Sequence, residues 1–155
     1  MSSSPDQRLA ELGITLPAPA TPVANYVGVV RTGNLLVVSG QLCFGPDGKL
    51  AATGKLGAGV AVDDAKAAAR LCGINILAQV KAAVGSLDKV VRVVRLGGFI
   101  AGTADFTQHA AVMNGASDLM VEVFGDKGRH ARTTVGVASL PLDAAVEVEG
   151  LFEIT

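Results

Sequence analysis

The stretch from His130 to Glu153, HARTTVGVASLPLDAAVEVEGLFE, decides the fold. It reads as two strands joined by a short connection containing Pro141. Both alternate small or apolar side chains with polar ones, the period-2 pattern of a half-buried sheet. Arg132 opens the first strand as a fixed cation among Ala131, Thr133 and Thr134. The second strand sets Val146, Val148, Phe152 and Ile154 on one face and Glu147, Glu149 and Glu153 on the other. A cation and a row of carboxylates entering an otherwise apolar sheet mark the first place to look for chemistry.

Upstream, Asp105 to Phe124 predicts a helix with Val112, Ala116, Leu119, Met120 and Val123 as its buried stripe and Asn114, Asp118 and Glu122 on the exposed side. His109 reads as a residue of that helix's surface. Val90 to Ile100, VVRVVRLGGFI, is nearly continuous in β-branched residues and predicts a strand buried on both faces, with Arg92 and Arg95 as edge or interface charges. Val62 to Val84 predicts a helix with Asp63 or Asp64 near its start, ended by Gly85-Ser86, with Ala65, Ala68, Ala69, Cys72, Ile76 and Val80 as its apolar face.

The segment Gly45 to Gly59, GPDGKLAATGKLGAG, matches no phosphate-binding glycine motif and reads as a connecting loop. Before it, YVGVVRT and NLLVVSGQL from Tyr26 to Leu42 predict a hairpin turning near Thr32-Gly33. Ser39-Gly40 is either a bulge or close approach of another backbone, or a strand end whose backbone N–H can hold an anion or a carbonyl. Residues 1–25 form an arm: a short helix over Asp6 to Leu12, then the extended Leu16 to Pro22. The remainder, 26–155, reads as a single domain. The order β-β-α-β-α-β-β predicts an α+β two-layer sandwich, a mixed sheet with both helices on one face. The uncovered face then calls for oligomerisation.

Half of the 155 residues are hydrophobic and only 17% are charged, so much of the chain must be buried, in its own core or against a neighbour. With aromatic residues at 4% and no Trp, that core is built from Ala, Val, Leu and Ile. A net charge of -1 gives no electrostatic case for nucleic acid. Cys43 and Cys72 sit in apolar segments without ligand spacing and read as buried free thiols, not as a metal site or a disulfide. No unbroken apolar run reaches 18 residues and no signal-peptide pattern opens the chain, so the expectation is a soluble, cytoplasmic protein without a membrane partner.

Four pieces of sequence together resemble the Rid/YjgF family, the reactive intermediate deaminase or L-PSP endoribonuclease-like proteins. They are Ser39-Gly40-Gln41, the Ala-Arg-Thr-Thr-Val of Ala131–Val135, the VASLP of Val137–Pro141 and the VEVE of Val146–Glu149. The resemblance covers about residues 26–154. It implies a chorismate-mutase-like fold without chorismate mutase activity, and a homotrimer with small-molecule clefts between subunits. It further implies that Arg132 holds a substrate carboxylate, that the backbone at Ser39 and Gly40 helps to position the ligand, and that Glu147 orients a water which hydrolyses an imine to a 2-oxo acid and ammonia. Tyr26 falls where the family often has a tyrosine, and His130 and Thr134 are further candidates for lining the cleft. No metal or organic cofactor enters that scheme.

The physics of those roles is sound. A guanidinium fixes a carboxylate through two parallel hydrogen bonds, and a carboxylate can position water and take its proton. The chain also departs from the family pattern. His130 stands for the common Pro, Thr134 for the frequent Cys and Gly136 for the frequent acidic residue; Ala24-Asn25 replaces Gly-Pro, and the arm is extra. These features resemble a longer branch labelled chorismate-mutase-like or endoribonuclease. The expected activity is that of a 2-iminobutanoate/2-iminopropanoate deaminase-like hydrolase. The alternatives are a non-catalytic trimer that binds small carboxylates and, least favoured, an endoribonuclease. Arg132 and Glu147 are expected to converge through sheet curvature or across a subunit boundary.

Overall fold

Strand and helix order dictates how this chain layers. A computed structural model of the chain describes residues 3–155. Its elements are α1 (Pro5–Glu11), β1 (Val29–Thr32), β2 (Leu35–Leu42), β3 (Lys55–Leu56), β4 (Gly59–Val60), α2 (Val62–Val84), β5 (Val90–Ala101), α3 (His109–Phe124), β6 (Ala131–Val137) and β7 (Val146–Ile154). The main sheet has the order β1-β2-β7-β5-β6, with β5 and β6 parallel and the other neighbours antiparallel. The crossovers β2-α2-β5 and β5-α3-β6 both step in the same direction across the sheet. Crossovers of one hand stepping one way place their helices on one face. That yields the expected α+β sandwich, and β7 inserts antiparallel between β2 and β5, the two strands of the first crossover.

Alternation then sorts the side chains. Leu36, Val38, Val93, Leu96, Ile100, Val146, Val148, Phe152 and Ile154 meet the two helices in a single core, where the rings of Phe124 and Phe152 pack edge to face at 6.5 Å. Every residue assigned to the apolar faces of the two long helices is buried. The helices cross closely, because Gly115 of α3 lies directly against the backbone carbonyl of Lys66 on α2. Cys43 and Cys72 are buried free thiols, as expected, and burial pushes the Cys72 thiol up.

Several boundaries differ from the sequence reading. The helix expected from Asp105 starts only at His109; residues 103–108 form a turn tied by the Thr103 hydroxyl donating to Asp105. The hairpin turn is Gly33-Asn34, one residue later than expected, with Gly33 at φ +57. β5 is not buried on both faces throughout: Val91, Arg92 and Arg95 are exposed, and only its second half is enclosed. The glycine-rich loop carries the short parallel pair β3-β4. At the other end of the sheet, Leu142 and Asp143 both take left-handed backbone angles, φ +59 and +60, in the connection that carries the chain over β5 from β6 to β7.

The arm packs on its own chain. Ser4 caps α1 in a reciprocal box with Gln7, Leu9 enters the core, and Lys81 of α2 pairs with Asp6 at 3.0 Å. Gln79, a buried polar residue, donates to the carbonyl of Ala20 at 3.0 Å and so pins the extended segment along α2. This explains why Ile76 to Val80 are buried consecutively: the sheet takes one side of α2 and the arm the other. α2 is long and apolar enough by composition to cross a membrane, and here much of that apolar surface is enclosed by protein.

Gly115→Ala should lower stability by about 1–3 kcal/mol, because the added methyl meets backbone and not a movable side chain. Thermal unfolding of the variant beside the unaltered chain measures it; an unchanged Tm would mean the helices can separate freely.

Candidate functional site

On β6 the even-numbered residues face α3 and the odd-numbered ones face away. Gly136 abuts the ring of His109, whereas Val135 is exposed on the open side. Arg132 therefore points toward the helix. Its Nη1 donates to Asn114 Oδ1 at 2.8 Å and to Ser117 Oγ at 3.1 Å, both one turn apart on α3. Ser117 Oγ lies 2.9 Å from His130 Nε2, and His130 Nδ1 lies 2.6 Å from the carbonyl of Gly128. A carbonyl only accepts, so Nδ1 carries the proton, Nε2 accepts from Ser117, and Ser117 accepts from Arg132. Burial holds the His130 imidazole below its ordinary pKa, against the pull of the Gly128 carbonyl, and the Arg132 charge adds to the lowering.

The two bonds from Nη1 leave Nε and Nη2 of Arg132 without partners among the described residues, and no carboxylate pairs with it there. Thr134, two residues on and facing the same way, buries its hydroxyl oxygen with no hydrogen-bond partner. His109 was expected on the helix surface. It is instead half-buried, edge to face with Phe106 at 5.1 Å and against Gly136.

On β7 the alternation runs the other way for the acidic residues. Glu147, Glu149 and Glu153 are half-buried on the face that no helix covers. Glu147 lies against Gly40, where an added Cβ would come within 2.5 Å of Glu147 Oε2, so the carboxylate occupies the space a side chain at position 40 would need. The register of β2 on β7 slips between Val38 and Gln41, which is the bulge anticipated at Ser39-Gly40. Ser39 spends its groups locally: its N–H donates to Gly28 O at 2.9 Å and its hydroxyl to Val27 O at 2.6 Å. It thereby fixes the segment bearing Tyr26, a residue that is 59% exposed. Burial raises the Glu147 carboxyl above its ordinary pKa, and the charge of Glu149 adds to the rise.

The candidates thus form two clusters. Arg132, Thr134 and His130 share the helix side with Asn114 and Ser117, and Glu147, Gly40 and Ser39 share the open side. Arg132 lies in the row Arg132–Leu96–Gly150, Glu147 in the row Val135–Phe99–Glu147–Leu42. These rows present opposite faces, so sheet curvature does not unite the two residues within one chain. β6 and β7 are not even neighbours, since β5 runs between them. Cavities of about 620 and 350 Å³ flank α1 and touch neither cluster. Among the described residues no group of three His, Cys, Asp or Glu side chains gathers as a metal site would need.

Asn114 and Ser117 were not foreseen as site residues. Their i, i+3 spacing put a polar pair on one side of α3, but only the placement of β6 beside that helix turns the pair toward Arg132.

Two measurements probe these environments. A carboxyl whose folded pKa is raised favours the folded state while protonated, and that contribution is lost as pH rises from 4.5 through the folded value. Glu147→Gln should therefore raise Tm relative to the unaltered chain at pH 7, with the gain shrinking toward pH 4. Thr134→Val, which deletes an unpartnered buried hydroxyl at constant shape, should raise stability by about 1 kcal/mol in urea unfolding. A loss of that size would reveal a bond made by the hydroxyl.

The chain is similar to known proteins along nearly its whole length. It is 50% identical to the Trypanosoma cruzi protein TCP17 over 147 residues, covering 94% of this chain and 91% of the relative. It is 32% identical to a Dermatophagoides farinae protein named 2-iminobutanoate/2-iminopropanoate deaminase over 141 residues, covering 91% and 94%. The crystal structure of Agrobacterium tumefaciens Atu1372 superimposes with a TM-score of 0.90 at 51% identity, covering 97% of this chain and 93% of that one. The family model described as YjgF/chorismate-mutase-like, putative endoribonuclease, matches residues 6–154 and so takes in most of the arm as well as the sheet. The chain belongs to that YjgF/chorismate-mutase-like family.

Proposed function

We propose that this protein hydrolyses small carboxylate-bearing imines or enamines to 2-oxo acids and ammonia, at clefts between the subunits of a homotrimer. The observation that carries the proposal is the state of Arg132. Its guanidinium is held by Asn114 and Ser117 through Nη1 alone, with Nε and Nη2 left to take a carboxylate side-on. Glu147 supplies the second requirement, a half-buried carboxylate with a raised pKa, able to hold a water and accept its proton. The deaminase name of the 32% identical relative favours the same chemistry.

In the proposed reaction, water attacks the imine carbon while Glu147 takes one of its protons, and the C=N electron pair moves to nitrogen. Glu147 returns that proton to the nitrogen, giving the neutral carbinolamine. As the C–N bond then breaks, the carbinolamine hydroxyl passes its proton through Glu147 to the leaving nitrogen, so the C=O product and ammonia result. Because Arg132 and Glu147 face opposite sides of one sheet, the proposed cleft needs a second copy of the chain. The open sheet face, with exposed Val30, Leu35, Val37 and Val135, offers apolar surface for such packing. Two buried free thiols suit a reducing compartment, and we place the protein in the cytoplasm on that ground.

The same separation of Arg132 from Glu147 favours a second reading, a trimer that binds small carboxylates without turnover. An endoribonuclease draws less support. The net charge is -1, and His109 and His130 sit apart, one against Gly136 and the other bonded to Ser117.

An assay in which an amino-acid oxidase generates 2-imino acids in situ tests the proposal. The unaltered protein should speed formation of 2-oxo acid and ammonia. Arg132→Ala should raise KM on the order of 100-fold, and Glu147→Gln should lower kcat by roughly 100-fold or more. No acceleration across a panel of imino acids, together with retained carboxylate binding, would replace the deaminase by the binding trimer.

A further inference from the structure

The turn between α3 and β6 lays His130 back against the helix, and the hydrogen bonds that result run in one direction. Gly128 O fixes the proton on His130 Nδ1, His130 Nε2 takes the Ser117 proton, and the Ser117 oxygen lone pair takes one Nη1 hydrogen of Arg132. Asn114 Oδ1 takes the other Nη1 hydrogen. Resting on the carboxylate-capture reading above, we propose that Ser117 and His130 are positioning residues of Arg132. They lock its guanidinium so that only the Nε–Nη2 edge is offered, and a ligand carboxylate binds side-on to that edge.

Three observations carry this. First, the chain of bonds is complete: each donor and acceptor from the Gly128 carbonyl to Nη1 is used once, with lengths between 2.6 and 3.1 Å. Second, an arginine side chain is long and rich in rotamers, and ordering it before the ligand arrives removes that cost from binding. Third, the arrangement requires a neutral imidazole. An imidazolium would aim a second donor at Ser117 Oγ and set a second cation beside Arg132; burial and the Arg132 charge both oppose this.

A Ser–His pair at 2.9 Å also resembles an activated nucleophile. Ser117 lies within α3, however, where the neighbouring backbone N–H groups are committed to the helix. Its oxygen already accepts from Arg132. The pair serves the guanidinium.

The test uses the full-length chain, nitrogen-15 NMR and direct titration with 2-oxobutanoate. The unaltered protein should show His130 as the neutral Nδ1–H tautomer and slowly exchanging Arg132 guanidinium protons. Ser117→Ala and His130→Ala should broaden the Arg132 signals and weaken 2-oxobutanoate binding about tenfold, with Ser117→Thr restoring both. An Nε2–H tautomer in the unaltered protein overturns the proposal even if the alanine variants do not fold. Normal binding by the unaltered chain, lost in Arg132→Ala but unchanged in Ser117→Ala and His130→Ala, overturns the positioning role alone. No binding by the unaltered chain overturns the carboxylate reading and this inference with it.

Discussion

Two helices cover one face of a five-stranded sheet and leave the other bare, and most of what is distinctive here follows from that. Both crossovers step the same way across the sheet, so a single hand of connection sends α2 and α3 to the same side. Each strand must then present two kinds of surface. One face builds the core around Phe152, Leu96 and Val148, and the other carries Glu147, Glu149 and Glu153 among exposed Val30, Val37 and Val135. A bare sheet face of this composition is half core and half polar surface, which suits contact with further protein more than contact with water.

The same division partitions the candidate chemistry. Arg132 sits on the covered side, where α3 supplies an amide and a hydroxyl to hold it and His130 closes the chain of bonds. Glu147 sits on the bare side, with Gly40 making room for its carboxylate. The two groups answer to different surroundings. Burial keeps the imidazole beside Arg132 neutral and raises the carboxyl of Glu147. The cation and the carboxylate therefore lie on opposite faces of the sheet within one chain.

Family membership was legible from short motifs, because Arg132 and Glu147 lie in strands whose alternation is read directly from spacing. Both long helices were legible for the same reason: α2 shows its Ala-rich face and α3 its apolar stripe. The start of α3 was not, because a side-chain bond from Thr103 to Asp105 holds residues that are otherwise compatible with helix. The service of Asn114 and Ser117 to Arg132 was equally hidden. Asn114 reads as an exposed polar residue of the helix, Ser117 carries no signal of its own, and their partner is remote in sequence.

What the sequence by itself determined is the helices, the five strands of the main sheet and the two faces of β7, since periods of 2 and 3.6 are local properties of the backbone, while β3-β4 lay in a stretch that reads as loop. Only the tertiary structure decided that β5 separates β6 from β7, that the arm folds back along α2 through Gln79 and Asp6, and that Arg132 and Glu147 look in opposite directions. These depend on strand order and on contacts between distant segments. Residues 132 and 147 carry no local signal of the strand that comes between them.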